Sequence, residues 1–332
     1  MNTERVERIA NAVLYEGYML YPYRPTAVKN RQRFNFGVIY PQACLDVQPE
    51  QSLDADRSFL QTECLFRGDD HARLIVRVRF LHLVDRVTER PERTVTWQEA
   101  VERDVTLDST TLSDLIASPV RQPFTFPVSV EAEPLRDDNE IVGTIVRRQR
   151  GLRGEIQMMA ERCREHVARV RVVVSNRTDI DDVSARTRDG SLLHAFVSAH
   201  VILGVDDGEF VSLLDPSEDL VELAEHCENL GVWPVLAGEA PARDLVLASP
   251  IILYDYPELA PESAGDLFDG TEIDELLSLR IMTLTDAEKD EVRLADEHAR
   301  RILERTESLS AEQLMSMHGT MRPTRTVPGE GV

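Results

Sequence analysis

Lysine is all but missing from this chain: Lys29 and Lys289 are the only two among 37 cationic residues, and arginine supplies the rest. That bias runs through the whole sequence, so the identity of any single arginine carries little functional information. Acidic residues outnumber basic ones 59 to 37, leaving a formal net charge of -22. Non-specific nucleic-acid binding needs a cationic face to neutralise phosphates and is disfavoured. Solubility and cationic partners are favoured instead. No uninterrupted apolar run reaches the roughly 18 residues that cross a bilayer. The opening residues carry Glu4 and Glu7 where a secretion signal is basic. The sequence therefore predicts a cytoplasmic protein without membrane insertion.

Cysteine is sparse too. Cys44, Cys64, Cys163 and Cys227 are widely spaced and form no CxxC pair, a pattern that predicts free thiols in a reducing compartment. The eight histidines form no HExxH, HxH or Cys/His cluster, and GxSxG, Walker and GxGxxG motifs are all missing. No metal and no cofactor are predicted. Catalytic groups can still assemble from distant residues, so missing motifs do not by themselves exclude an enzyme.

What the chain does have is a segment of opposite character. Between Gly17 and Leu45 there is no Asp or Glu, while Arg24, Lys29, Arg31 and Arg33 alternate with Tyr18, Tyr21, Tyr23, Phe34, Phe36 and Tyr40, stiffened by Pro22 and Pro25. Tyr and Arg are the residues interfaces favour as anchors. The candidate partner-binding residues are Tyr21, Tyr23, Arg24, Lys29, Asn30, Arg31, Arg33 and Phe34, with a protein as partner. The competing reading is that the aromatics pack a core while the long cationic side chains pair with carboxylates elsewhere. The two readings are compatible.

With 42% hydrophobic and 29% charged residues, the 332-residue chain has room for two folded parts. Thr3 can cap an opening helix with Val6, Ile9, Ala10, Val13 and Leu14 on one face. Residues 72–84 alternate as a strand, with Leu74, Val76, Val78 and Phe80 opposite Arg77 and Arg79. Gly68–Asp70 reads as a turn that makes 62–67 the hairpin partner of that strand. Residues 155–175 read as a second hairpin turning within 162–166. A third is expected around Asp206-Asp207-Gly208, because Asp-Gly is a strong hairpin turn.

After Asp215 the character changes. Asp215-Pro216-Ser217-Glu218 has the signature of a helix start, and Leu220, Leu223, Ala224, Cys227 and Leu230 then share a face that ends at Gly231. Residues 251–254 read as a short strand, and further capped helices are expected near Thr271, Thr285 and Ser310. Residues 254–312 hold seventeen acidic and six basic residues, a net of -11. The predicted fold class is α+β: a β-sandwich-like, β-rich domain over 1–215 with an N-terminal helix, an α-rich acidic region over 216–320, and a disordered tail over 321–332.

Two constellations could carry chemistry. Glu225-His226-Cys227-Glu228 offers a soft ligand pair or a thiolate beside a base. Adjacent helical residues point about 100° apart, however, which puts Cys227 on the apolar face. Asp255, Glu258, Glu262, Asp266 and Asp269 offer oxygen ligands, but without calcium-loop spacing they also read as a solvated acidic loop.

Three blocks, NAVLYEGYMLYPYRPTAVKNRQRFNFGVIYP (11–41), SPIILYDYPELAPESAGDLFDGTEIDELLSLRIMTLTDAEK (249–289) and SAEQLMSMHG (310–319), give the chain a likeness to known sequences. It resembles an uncharacterised family encoded in gene clusters of actinobacterial-type, high-affinity nickel-iron hydrogenases. The resemblance implies a non-enzymatic accessory role, as chaperone or adaptor, with hydrogenase subunits as partners, and it supplies no catalytic residues. The alternative is a hydrolase or metal-handling enzyme using carboxylates near 255–275 with an adjacent His or Cys.

Overall fold

The structure, a computed structural model, describes residues 4–15, 34, 36–47, 56–91, 93–137, 140–180, 187–258, 284–295 and 297–308. Its organising element is strand β1, Phe59–Arg90. Leu74, Val76, Val78 and Phe80 all point into the largest core cluster, as their alternation dictates. Strand β2 (Arg93–Thr111) folds back on β1 from Arg90↔Arg93 to Arg73↔Thr111. A short helix α3 (Leu112–Ala117) follows, its end capped by Thr111, whose side chain accepts from Asp114 N. Two earlier helices, α1 (Glu4–Leu14) and α2 (Gln42–Val47), precede β1.

Strands β3 (Val120–Phe126), β4 (Ser129–Asp137), β5 (Glu140–Gln149), β6 (Leu152–Arg164) and β7 (Val167–Asn176) complete the first half. Helix α4 (Arg188–Leu192) leads into β8 (Val197–Phe210). Helix α5 (Val221–Glu225) is followed by β9 (Trp233–Ala237) and β10 (Leu245–Ser249). Helices α6 (Asp286–Ala295) and α7 (Glu297–Ser308) close the described chain. All ten strands hydrogen-bond into one sheet in the order β3-β6-β7-β1-β8-β10-β9, with β2 and the β4–β5 hairpin branching from β1. Every pairing is antiparallel.

This corrects the expected fold class: the protein is mostly antiparallel β in a single sheet, without a helix-rich C-terminal part among the described residues. After Asp215 the described chain forms one turn of helix in α5, and then β9 and β10 extend the sheet beyond β8. Those two strands are short apolar runs buried on both faces, so no period of two marks them in the sequence. Residues 251–254, expected as a strand, form none, and Ile252 and Tyr254 are exposed. The helices expected near Thr271 and Ser310 and the tail 321–332 lie outside the described residues.

The third hairpin is also corrected. Asp206-Asp207-Gly208 does not reverse the chain; it faces an irregularity in β1, where the register passes from Gly68↔Gly208 to Arg73↔Asp206. Four residues of β1 thus bulge opposite one of β8. The reason is packing: a Cβ at Gly68 or Gly208 would collide with the Phe66 ring, which lies edge-on to Phe210 with centroids 6.0 Å apart. Residues 62–67 and 72–84 are accordingly two stretches of one strand, not a hairpin. The β6–β7 hairpin, by contrast, forms as its alternation predicts.

Helix α1 buries the five apolar positions expected of it, and Val6, Ile9, Ala10 and Val13 pack on Ile202, Ala237, Leu245 and Leu247. At α6, Thr285 Oγ1 accepts from Glu288 N while Glu288 Oε2 accepts from Thr285 N, the reciprocal cap the sequence predicts. The terminal strands β3, β4 and β9 carry Pro123, Pro134 and Pro234, residues that sheets tolerate at their edges.

Candidate functional site

The most elaborate polar arrangement centres on Glu63, a residue sequence reasoning passed over. Register sets Glu63 of β1 beside Arg171 of β7, with Arg169 two residues away on the same face. The Glu63 carboxylate is fully buried. Its Oε1 accepts from Arg171 Nε, its Oε2 accepts from Glu228 N at 2.7 Å, and Arg169 Nη1 stands 3.7 Å from Oε2. Asn229 completes the joint: its Oδ1 accepts from Glu63 N and Thr62 Oγ1, both at 2.9 Å. Leu230 exchanges two backbone bonds with Gln61. Residues 228–230 are therefore fastened to β1 like one more rung of sheet.

Arg169 extends the joint by donating to His226 O at 2.7 Å and, through Nε, to Glu161 at 2.9 Å. A cleft of about 190 Å³ lies over this network, walled by Glu161, Arg169 and Arg171 and by Ile116, Pro119 and Met159. Every charge in it faces an opposite one. Glu63, Glu161, Arg169 and Arg171 are all engaged in ion pairs, and none stands alone as a proton donor or acceptor.

The neighbouring thiols point the same way. Burial, and then the Glu63 charge, push the Cys227 thiol up to about 12, while burial raises Cys64. Cys227 Sγ lies 3.6 Å from Leu223 O, and His226 Nδ1 lies 2.6 Å from Glu222 O, so the two side chains turn to separate carbonyls of their own helix. They are not brought together as a ligand or nucleophile–base pair. At pH 7.5 the folded protein should react with iodoacetamide at Cys227 at least tenfold more slowly than after unfolding, since a thiol near 12 is almost wholly protonated. Peptide mapping by mass spectrometry measures it, and equal rates would contradict the assignment.

Of the acidic set, Asp255 accepts from Leu236 N at 2.8 Å and from Ser212 Oγ, while Tyr256 N donates to Leu236 O. Asp255 and Tyr256 thus cover the outer edge of β9. Glu258 pairs with Arg5 at 2.6 Å. Glu262, Asp266 and Asp269 lie outside the described residues. Among the described residues no group of three or more His, Cys, Asp or Glu side chains is placed to hold a metal ion.

Of the partner-binding candidates, Tyr21, Tyr23, Arg24, Lys29, Asn30, Arg31 and Arg33 also lie outside the described residues. Phe34 is described and is buried, at 3% exposure, in a core cluster with Leu14, Tyr40, Leu81 and Trp97. Its carbonyl accepts from Arg188 Nη2 at 3.0 Å. Phe34 is therefore a core residue, and Leu14 of α1 sits in the same cluster.

Nothing in the sequence marks Glu63 as special, because its significance lies in which residue sits across the strand. No described helix is long and apolar enough to cross a membrane. No protein-family model matches the chain, and no curated protein matches it significantly.

Proposed function

We propose that this is a non-enzymatic docking protein, a cytoplasmic chaperone or adaptor that binds subunits of a nickel-iron hydrogenase during maturation or assembly. The client is suggested by the sequence blocks at 11–41, 249–289 and 310–319. The docking role is supported chiefly by one observation: Leu14 and Phe34, which flank the basic stretch in the sequence, share one buried cluster. A segment tethered at both ends to the same platform loses less freedom on binding than a free tail. The paired charges over Glu63 count against a catalytic role for that cleft, and the raised thiol counts against Cys227 as a nucleophile. Asp255, the first carboxylate of the hydrolase or metal-handling alternative, is engaged at the edge of β9.

The test is charge reversal at Arg24, Lys29, Arg31 and Arg33 in the full chain, with binding to purified hydrogenase subunits measured by calorimetry. Affinity should fall at least tenfold while the melting temperature stays nearly constant, since exposed ion pairs contribute about 0–1 kcal/mol each. Unchanged affinity would remove the docking segment. A large loss of stability would assign those side chains to packing.

A further inference from the structure

Beneath the first two turns of α1 the structure has a cavity of about 320 Å³, the size range of small-molecule sites. Its two sides differ in chemistry. Val6 of α1, Ile202 of β8 and Leu245 of β10 form an apolar wall. Opposite stands Arg77 of β1, which donates to Glu7 Oε1 at 2.7 Å through Nη1 and to Asp104 through Nε. Arg79 Nε also lies 3.8 Å from Asp104 Oδ2 and its Nη2 3.2 Å from Glu102 Oε2, so two guanidiniums serve three carboxylates and the ion-pair network behind this wall keeps a net charge of -1. The Glu7 and Asp104 side chains are 41% and 36% exposed, so the carboxylates can be approached from the cavity mouth.

From this we infer that the cavity is a binding site for a small amine with an apolar body, independent of the docking role. The body would lie against Val6, Ile202 and Leu245, and the ammonium would neutralise the excess carboxylate charge. An organic anion of the same shape meets two carboxylates at the mouth and is rejected. A body of about ten heavy atoms suits the volume, and the apolar wall favours it over a hydrated inorganic cation.

Three probes with one body and different charges test the inference: 4-phenylbutylamine, 4-phenylbutan-1-ol and 4-phenylbutanoate, titrated into the full chain by calorimetry. The amine should bind saturably at one site per chain, at least tenfold more tightly than the carboxylate, with the alcohol between them. Glu7→Gln, a half-exposed change on the helix surface, should reduce the preference for amine over alcohol several-fold and leave the alcohol's own affinity unchanged. Ile202→Phe, which projects into the cavity, should weaken amine and alcohol alike. Equal affinity for the three probes, non-saturable binding, or amine binding indifferent to both substitutions would overturn the site. The melting curve of each variant, superimposable on that of the parent protein, establishes that the fold is intact; should Ile202→Phe fail that check, Glu7→Gln decides alone.

Discussion

Glu63→Ala is expected to lower the free energy of unfolding by about 3 kcal/mol, the low end of the range for breaking one partner out of a buried ion pair. The low end applies because Arg169 and Arg171, left behind, are 20% and 38% exposed and can be hydrated. Glu228 N loses its acceptor in the same stroke. Glu63→Gln keeps an acceptor for that N–H and should be less damaging than alanine. Urea unfolding measures the first effect. Hydrogen exchange at Glu228 and Leu230 tests its location, because the rung formed by 228–230 should lose protection before the rest of β1. A loss under 1 kcal/mol for the alanine variant would mean that the Asn229 and Leu230 bonds hold the segment without the carboxylate.

Acid is expected to destabilise the fold well above the usual carboxylate range. Burial, and secondarily Arg103, hold the His82 imidazole down at about 3; burial, opposed by a bond to Ser198 O, holds His200 at about 4. Both folded values lie below the unfolded value near 6.5, so in the interval between them the unfolded chain binds more protons. The stabilisation is complete above the unfolded value and is lost as pH falls towards the folded ones. Between pH 8 and pH 5 each histidine contributes a loss of about 2 kcal/mol, or about 4 together, a large part of a typical domain's stability. Denaturant titrations at a series of pH values should show it. His200→Asn, which can still donate towards Ser198 O, should remove about half of the loss. Stability that stays level from pH 8 to pH 5 would contradict the assignment of both rings as buried and neutral.

Local patterns were legible wherever one face of an element meets water. Helix α1 shows its buried face as a 3.6-residue period, β1 shows Leu74 to Phe80 as a period of two, and Thr285 with Glu288 shows a cap whose two bonds are both local. Legibility failed where the deciding contact was remote. Gly208 reads as a hairpin glycine, yet its lack of a side chain makes room for a ring 142 residues earlier in the chain, at Phe66. Strands β9 and β10 are buried on both faces and show no alternation. Glu63 became visible only once the β1–β7 register placed Arg171 opposite it. Of the basic, aromatic segment the sequence showed composition, and the structure adds that Phe34, read as a contact residue, is buried in one cluster with Leu14.

The account's central claim is that this chain serves a hydrogenase by docking rather than by catalysis. The most direct measurement is hydrogen uptake in a deletion strain of the organism that encodes it, beside immunoblots of the large and small subunits. Three complements are compared: the parent gene, the version with Arg24, Lys29, Arg31 and Arg33 reversed in charge, and Glu63→Gln as a control outside the segment. The account predicts that deletion abolishes uptake with unprocessed or unassembled subunits accumulating, that the parent and Glu63→Gln genes restore both, and that the charge-reversed version restores neither despite normal protein levels. Normal uptake and normal subunit processing in the deletion strain, under conditions where the parent protein is expressed, would contradict it.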